Sequence, residues 1–217
     1  MNKKSVLIVA SIALLSVLLS GALLYANGKS DRSAQPPQGH LTNLVRMHSP
    51  TLGRSDAKVQ IVEFLDPACG TCRDFYPLVK QMMAANPDQI HLVLRYAPFH
   101  DGSEAVVSVL EAARRQDKFW PALEALLVAQ DDWAPHHRPQ IDLVWKHLDG
   151  LGLDLELLRA EMTSPAISGA IALDKDDAKA LGVTMTPEFF VNGKPLPSFG
   201  SEQLRALVSD ALRSARR

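Results

Sequence analysis

Cys69-Gly70-Thr71-Cys72 holds the only two cysteines in a chain of 217 residues. Three kinds of chemistry suit such a pair. As a structural staple it would close a loop of about four residues, worth about 2 kcal/mol in the chain-entropy account, which adds little to a core of this size. As half of a zinc site it would need two further ligands. His40, His48, His91, His100, His136, His137 and His147 are the histidines, and none forms the H-x3-5-H spacing of common sites. As a redox pair it needs no third group. A sulfur at a helix N-terminus faces unsatisfied N–H groups and the positive end of the helix dipole, and both favour thiolate over thiol. Cys69 is then the nucleophile toward a disulfide. Cys72, one turn deeper, is placed to resolve the mixed disulfide by attacking the Cys69 sulfur.

Two other residues bear on this chemistry. Glu63 stands six residues before Cys69 in the apolar run Val59-Gln60-Ile61-Val62-Glu63-Phe64-Leu65. If that run is a buried strand, a free carboxylate there is costly and its pKa rises, which suits it to exchange protons with the Cys72 thiol. Periodicity alone also permits an acid at a strand edge facing water. Thr186-Pro187 precedes a second apolar run, Glu188 to Val191. Only about 5–6% of bonds to proline in folded proteins are cis, so spacing alone does not fix the isomer.

The elements that position these residues follow from hydrophobic period. Val59 to Leu65 predicts a strand ended by Asp66-Pro67. From Cys72, the apolar residues Phe75, Leu78, Val79, Met82 and Met83 define one face of a helix that stops near Asn86-Pro87. Ile90 to Leu94 predicts a second strand, and strand, helix and strand within about 40 residues imply a right-handed crossover and a parallel pair. Residues 102–181 read as helical throughout. Strand pattern returns at Glu188 to Val191, with Asn192-Gly193 as a hairpin turn and a short strand toward Leu196. Ser201 is a candidate cap for a last helix carrying Leu204, Leu207, Val208 and Leu212. Asp174, Asp176 and Asp177 read as the wet face of a helix, and His136-His137, beside Pro135, as a solvated loop rather than a metal site.

Composition narrows the context. The chain is 47% hydrophobic and 22% charged, an ordinary globular balance. Without residues 1–26, which hold Lys3 and Lys4 and no acid, 21 basic residues face 24 acidic ones, a net charge near -3. Nucleic acid is therefore not an expected partner. The uncharged run Val6 to Ala26 would span about 31 Å as a helix, enough for a hydrocarbon core of about 30 Å. It reads as a signal anchor, with a cleaved signal peptide as the alternative because Ser20-Gly21-Ala22 offers a small-x-small site. Lys3 and Lys4 ahead of it favour a cytoplasmic N-terminus and an outer location for the rest, in an oxidising compartment such as a bacterial periplasm. Residues 27–57 read as a juxtamembrane linker, and residues 58–217 as the folded domain.

The segments Glu63-Phe64-Leu65-Asp66-Pro67-Ala68-Cys69-Gly70-Thr71-Cys72 and Val183-Thr184-Met185-Thr186-Pro187-Glu188-Phe189-Phe190-Val191 resemble the DsbA-like branch of the thioredoxin superfamily. Arg95-Tyr96-Ala97-Pro98-Phe99-His100 and Lys118-Phe119-Trp120 resemble it too, and the likeness covers about residues 50–213. It implies an α/β thioredoxin fold with a helical insertion at about 102–181, with Cys69 as exposed nucleophile, Cys72 as resolving thiol and Glu63 as buried acid. It also implies a cis-proline at Pro187, a substrate strand bound along Thr186-Pro187 and Gly70-Thr71, and no cofactor. Partners of that class are exported proteins with thiols or disulfides and a membrane redox protein of DsbB or DsbD type. One departure is Thr71, where strong oxidants of the branch carry histidine. A hydroxyl brings no charge, so a weaker oxidant is expected, and Gly70-Thr71 with Thr186 leans toward reducing or isomerising relatives. A reading from another class is a thioredoxin-fold chaperone or copper-handling module that binds without cycling.

Overall fold

A computed structural model of the protein describes residues 43–216. Five strands form one mixed sheet in the order β1-β3-β2-β4-β5: β1 (Thr51–Leu52), β2 (Val59–Leu65), β3 (Ile90–Tyr96), β4 (Glu188–Val191) and β5 (Lys194–Pro195). β2 and β3 run parallel, as the predicted crossover requires, and the other neighbours are antiparallel. The crossover is α1 (Gly70–Ala85), which ends before Asn86 as its spacing predicts. Both central strands are covered on both faces, which explains their nearly unbroken apolar sequence.

Two apolar layers, one on each face, hold the sheet. Val59, Ile61 and Ile90 pack with Leu78, Val79 and Met82 of α1, and with Leu204, Val208 and Leu212 of the last helix, α8 (Ser201–Ala215). On the other face Val62, Phe64 and Val93 pack with Ala178, Leu181 and Phe190. Each such side chain contributes on the order of 2 kcal/mol. Ser201 is the first residue of α8 rather than its cap; Gly200 occupies the cap position.

The predicted helical block is α2 (Ser103–Arg114), α3 (Phe119–Val128), α4 (Gln130–Trp133), a 3-10 turn (Pro135–His137), α5 (Ile141–Leu148), α6 (Leu155–Glu161) and α7 (Pro165–Ala180). It has an apolar centre of its own around Leu110, Leu123, Leu126 and the fully buried Trp133, whose Nε1 donates to the Leu126 carbonyl at 2.7 Å. The hairpin also forms as predicted: Asn192 and Gly193 take φ of 47° and 79°, the two left-handed positions of a two-residue turn.

Two sequence expectations are corrected. The linker expected over residues 27–57 does not reach 57, because from residue 43 the chain belongs to the fold. Leu44 is buried, β1 pairs with β3, and Arg46 bonds Asp177 at 2.7 Å. Asp174 and Asp177 are buried rather than wet, and of the three aspartates only Asp176 is exposed. Asp174 accepts from Arg95 Nη2 at 2.7 Å, from the Tyr96 N–H at 2.8 Å and contacts His48 at 2.7 Å. Helical period places a residue on a face but does not tell which face meets a buried arginine. The expected span at residues 6–26 lies outside the described residues. Among those described, no helix is long and apolar enough to cross a membrane.

Candidate active site

The site begins where β2 gives way to α1. Asp66 fixes that loop: its fully buried carboxylate accepts from the N–H groups of Ala68 (2.9 Å), Phe99 (2.8 Å) and His100 (2.9 Å) and from the Ser103 hydroxyl. The loop thereby delivers Cys69 to the cap position of α1, in extended backbone conformation. Cys69 is 6% exposed and Cys72 fully buried, and both thiols are free. A hydrogen bond with Cys72 is the largest influence holding the Cys69 thiol down to about 5, joined by Thr186 and by the Cys72 and Thr71 N–H groups, against the opposing cost of burial. Burial and the neighbouring Cys69 push the Cys72 thiol well up. The pair is thus split into a ready thiolate and a reluctant one.

Glu63 lies at the centre of the sheet, between Leu94 of β3 and Phe189 of β4, and is fully buried. The strand-edge alternative does not hold. Neither carboxyl oxygen has a hydrogen-bond partner among the described residues. Burial, with the Cys69 thiolate in second place, raises this carboxyl to about 8.

Thr186 and Pro187 reach the same place from the far end of the chain. The bond between them is cis. The Cys69 Sγ stands 3.2 Å from the Thr186 carbonyl oxygen. Gly70 is half-buried and Thr71 exposed at the start of α1, beside Cys69, and Pro187 is buried next to Thr186.

Four residues at this point carried no site assignment from the sequence. Asp66 had signalled only a chain break. His100 contacts Asp66 Oδ2 through Nδ1 at 2.7 Å. Gln130, buried in the insertion, donates to the carbonyls of Pro67 (2.7 Å) and Cys69 (3.0 Å). His137 is exposed in its turn, as predicted, and its ring stacks on His100 with centroids 5.0 Å apart. Only Asp66-Pro67 and the Phe99-His100 segment carried any local signal. Among the described residues no group of three or more His, Cys, Asp or Glu side chains is placed to hold a metal ion.

A dithiol at a helix N-terminus, opposite a cis-proline turn and above a buried acid on this sheet, defines a thioredoxin-type thiol-disulfide oxidoreductase. The model of the family described as thioredoxin matches residues 46–210, and the chain belongs to that family. A solved thioredoxin-like oxidoreductase from Silicibacter pomeroyi is 29% identical, with a TM-score of 0.68, covering 82% of this chain and 98% of that one. BdbD from Bacillus subtilis (21% identical, TM-score 0.66, 76% of this chain and 94% of that one) and alpha-DsbA1 from Wolbachia pipientis (16%, 0.71, 82% and 97%) share the fold. The protein named Na(+)/H(+) antiporter NhaA 3 of Salinispora tropica is 32% identical over 168 residues, covering 76% of this chain and 25% of that protein. The chain spans about a quarter of the length of the curated relatives it matches first.

Proposed function

We propose that the protein exchanges disulfides with exported proteins through Cys69 and Cys72, in a periplasm and tethered to the inner membrane by residues 6–26. The observation that carries this reading is the placing of the pair: Cys69 at the cap of α1, 3.2 Å from the carbonyl oxygen of the cis Thr186-Pro187 turn, with Cys72 fully buried one turn deeper. The Cys69 thiolate attacks one sulfur of a substrate disulfide, forms a mixed disulfide and expels the other sulfur as a thiolate. Cys72 gives its proton to the Glu63 carboxylate and attacks the Cys69 sulfur. That step releases the reduced substrate and leaves the Cys69–Cys72 disulfide, two electrons having passed to the substrate. The reverse sequence oxidises a dithiol substrate, and a membrane protein of DsbB or DsbD type resets the pair. Glu63, balanced near 8, can both take and return a proton near neutral pH.

Substrate contact is supported by the exposed apolar side chains of Phe99 and Met185, on segments adjoining His100 and Thr186. A cavity of about 440 Å³ lined by Phe99, Val183 and Thr184 continues this surface. Membrane attachment is supported by the sequence of residues 6–26. It is also supported by the relatives named as antiporters, which match this chain over only part of their length.

The test is equilibration with glutathione buffers. A potential near about -120 mV means disulfide donation, and one at or below about -200 mV means reduction or isomerisation, the direction Thr71 favours. A pair that never equilibrates would leave a non-cycling chaperone or copper-handling module instead.

A further inference from the structure

Gly70-Thr71 carries no charge, yet an imidazole stands against it. His137 arrives from the 3-10 turn between α4 and α5, and its Nδ1 lies 3.0 Å from the Ala68 carbonyl oxygen and 3.4 Å from the Gly70 nitrogen. These are the backbone groups on either side of Cys69.

Three features seat the ring there. The first is space, since a Cβ on Gly70 would stand 3.2 Å from His137 Cε1, so glycine at this position leaves room for the imidazole. The second is the stack on His100, inclined by 25°, which the buried Asp66 anchors from behind. The third is the backbone of the turn. His136 and His137 take φ of 55° and 60°, a conformation that costs about 1 kcal/mol or more per non-glycine residue and needs compensating contacts. Gln130, seven residues earlier, grips the same loop through the Pro67 and Cys69 carbonyls.

Nδ1 can serve only one of its two backbone neighbours at a time. With a proton it donates to the Ala68 carbonyl, which leaves the Gly70 N–H, the first of α1, free in the field around the Cys69 sulfur. Without one it accepts from Gly70 and withdraws that N–H. A doubly protonated ring adds a positive charge beside the sulfur.

We propose that His137 is a positioning residue for Cys69, supplied by the helical insertion, which sets how firmly the loop holds the thiolate. The inference rests on the thiol-disulfide reading above. The titratable and charged groups around the ring are His100 with Asp66 behind it, His136 beside it, and Cys69 with Cys72 and Glu63 beneath. The Arg73–Asp131 pair, at 2.6 Å, links α1 to α4 nearby.

The experiment titrates the thiolate absorbance of the full-length reduced protein and measures its glutathione equilibrium, in wild type, His137→Ala and His137→Asn. His137→Ala is expected to raise the Cys69 midpoint by about half to one pH unit and to shift the equilibrium about 3- to 10-fold toward the disulfide. The asparagine amide stands where Nδ1 stood and can reach the Ala68 carbonyl but cannot be protonated. It is expected to recover part of the shift. Gly70→Ala, which crowds the ring, should move both quantities in the same direction as His137→Ala. Identical midpoints and equilibria in all four proteins would overturn the assignment. If the midpoint moves but no protein equilibrates with glutathione, the role of His137 stands and the disulfide-exchange reading falls.

Discussion

The Cys69 sulfur and the Thr186 carbonyl oxygen, 117 residues apart in sequence, meet at 3.2 Å. The carbonyl accepts from the thiol, whereas the Thr186 side chain bonds the sulfur in a way that favours the thiolate. One residue thus faces both protonation states of the nucleophile. Thr186→Val keeps the carbonyl and the side-chain shape but removes the hydroxyl, so the Cys69 midpoint should rise by about half to one pH unit. An unchanged thiolate titration would show that the hydroxyl does not hold the sulfur.

Cys72 is fully buried and can reach a mixed disulfide only through Cys69. Cys72→Ser should therefore accumulate mixed disulfides with disulfide-bearing clients in cells, the Cys69 thiolate displacing one client sulfur with no second thiol to resolve the adduct, and Cys69→Ser should accumulate none and lose turnover. Non-reducing electrophoresis distinguishes the two, and equal adduct levels would refute the division of roles between the cysteines.

The depressed Cys69 thiol and the raised Glu63 carboxyl load the stability of the dithiol form in opposite directions. Cys69 contributes stability that is fully present above about pH 9, its unfolded value, and is lost as pH falls through about 5. At pH 7 this is on the order of 2 kcal/mol. Glu63 stays protonated in the fold while the unfolded chain ionises, so its contribution is full below about 4.5 and lost as pH rises through about 8. Glu63→Gln should stabilise the dithiol form by on the order of 4 kcal/mol at pH 8 and by little at pH 4. Oxidation removes the thiolate that helps to raise Glu63, so its carboxyl should titrate lower in the disulfide form. Denaturant curves of wild type, Cys69→Ser and Glu63→Gln across this range separate the two slopes, and parallel curves would refute both.

Arg95 is fully buried and bonds Asp174 at 2.7 Å and Asp177 at 2.6 Å, tying β3 to α7. Removing one partner of a buried pair leaves an uncompensated charge. Asp174→Ala should cost about 3–5 kcal/mol in chemical denaturation at neutral pH, and a loss under about 1 kcal/mol would mean that water replaces the carboxylate.

Short-range pattern was enough to read the β2–α1–β3 unit, the Asn192-Gly193 hairpin, the helical block and the placing of Cys69 at a helix N-terminus, because the hydrophobic period and the turn chemistry that build them lie within about ten residues. The resemblance of the Cys69-Cys72 and Thr186-Pro187 segments added the family and its cis-proline. What sequence left open were facts about closure: whether Glu63 faces water or the core, whether Asp174 meets solvent or Arg95, where the linker ends, and what stands over Gly70. Glu63 is buried because β4 returns to lie against β2, and Asp174 because α7 covers the end of β3. His137 is at the site because the insertion folds back over the cysteine loop. Partners separated by 67 to 131 residues leave no local periodic trace, since each alone reads as an ordinary polar residue of its own helix or turn. Only the packed chain decides which of them meet, because burial and hydrogen bonding are properties of the whole fold rather than of a segment.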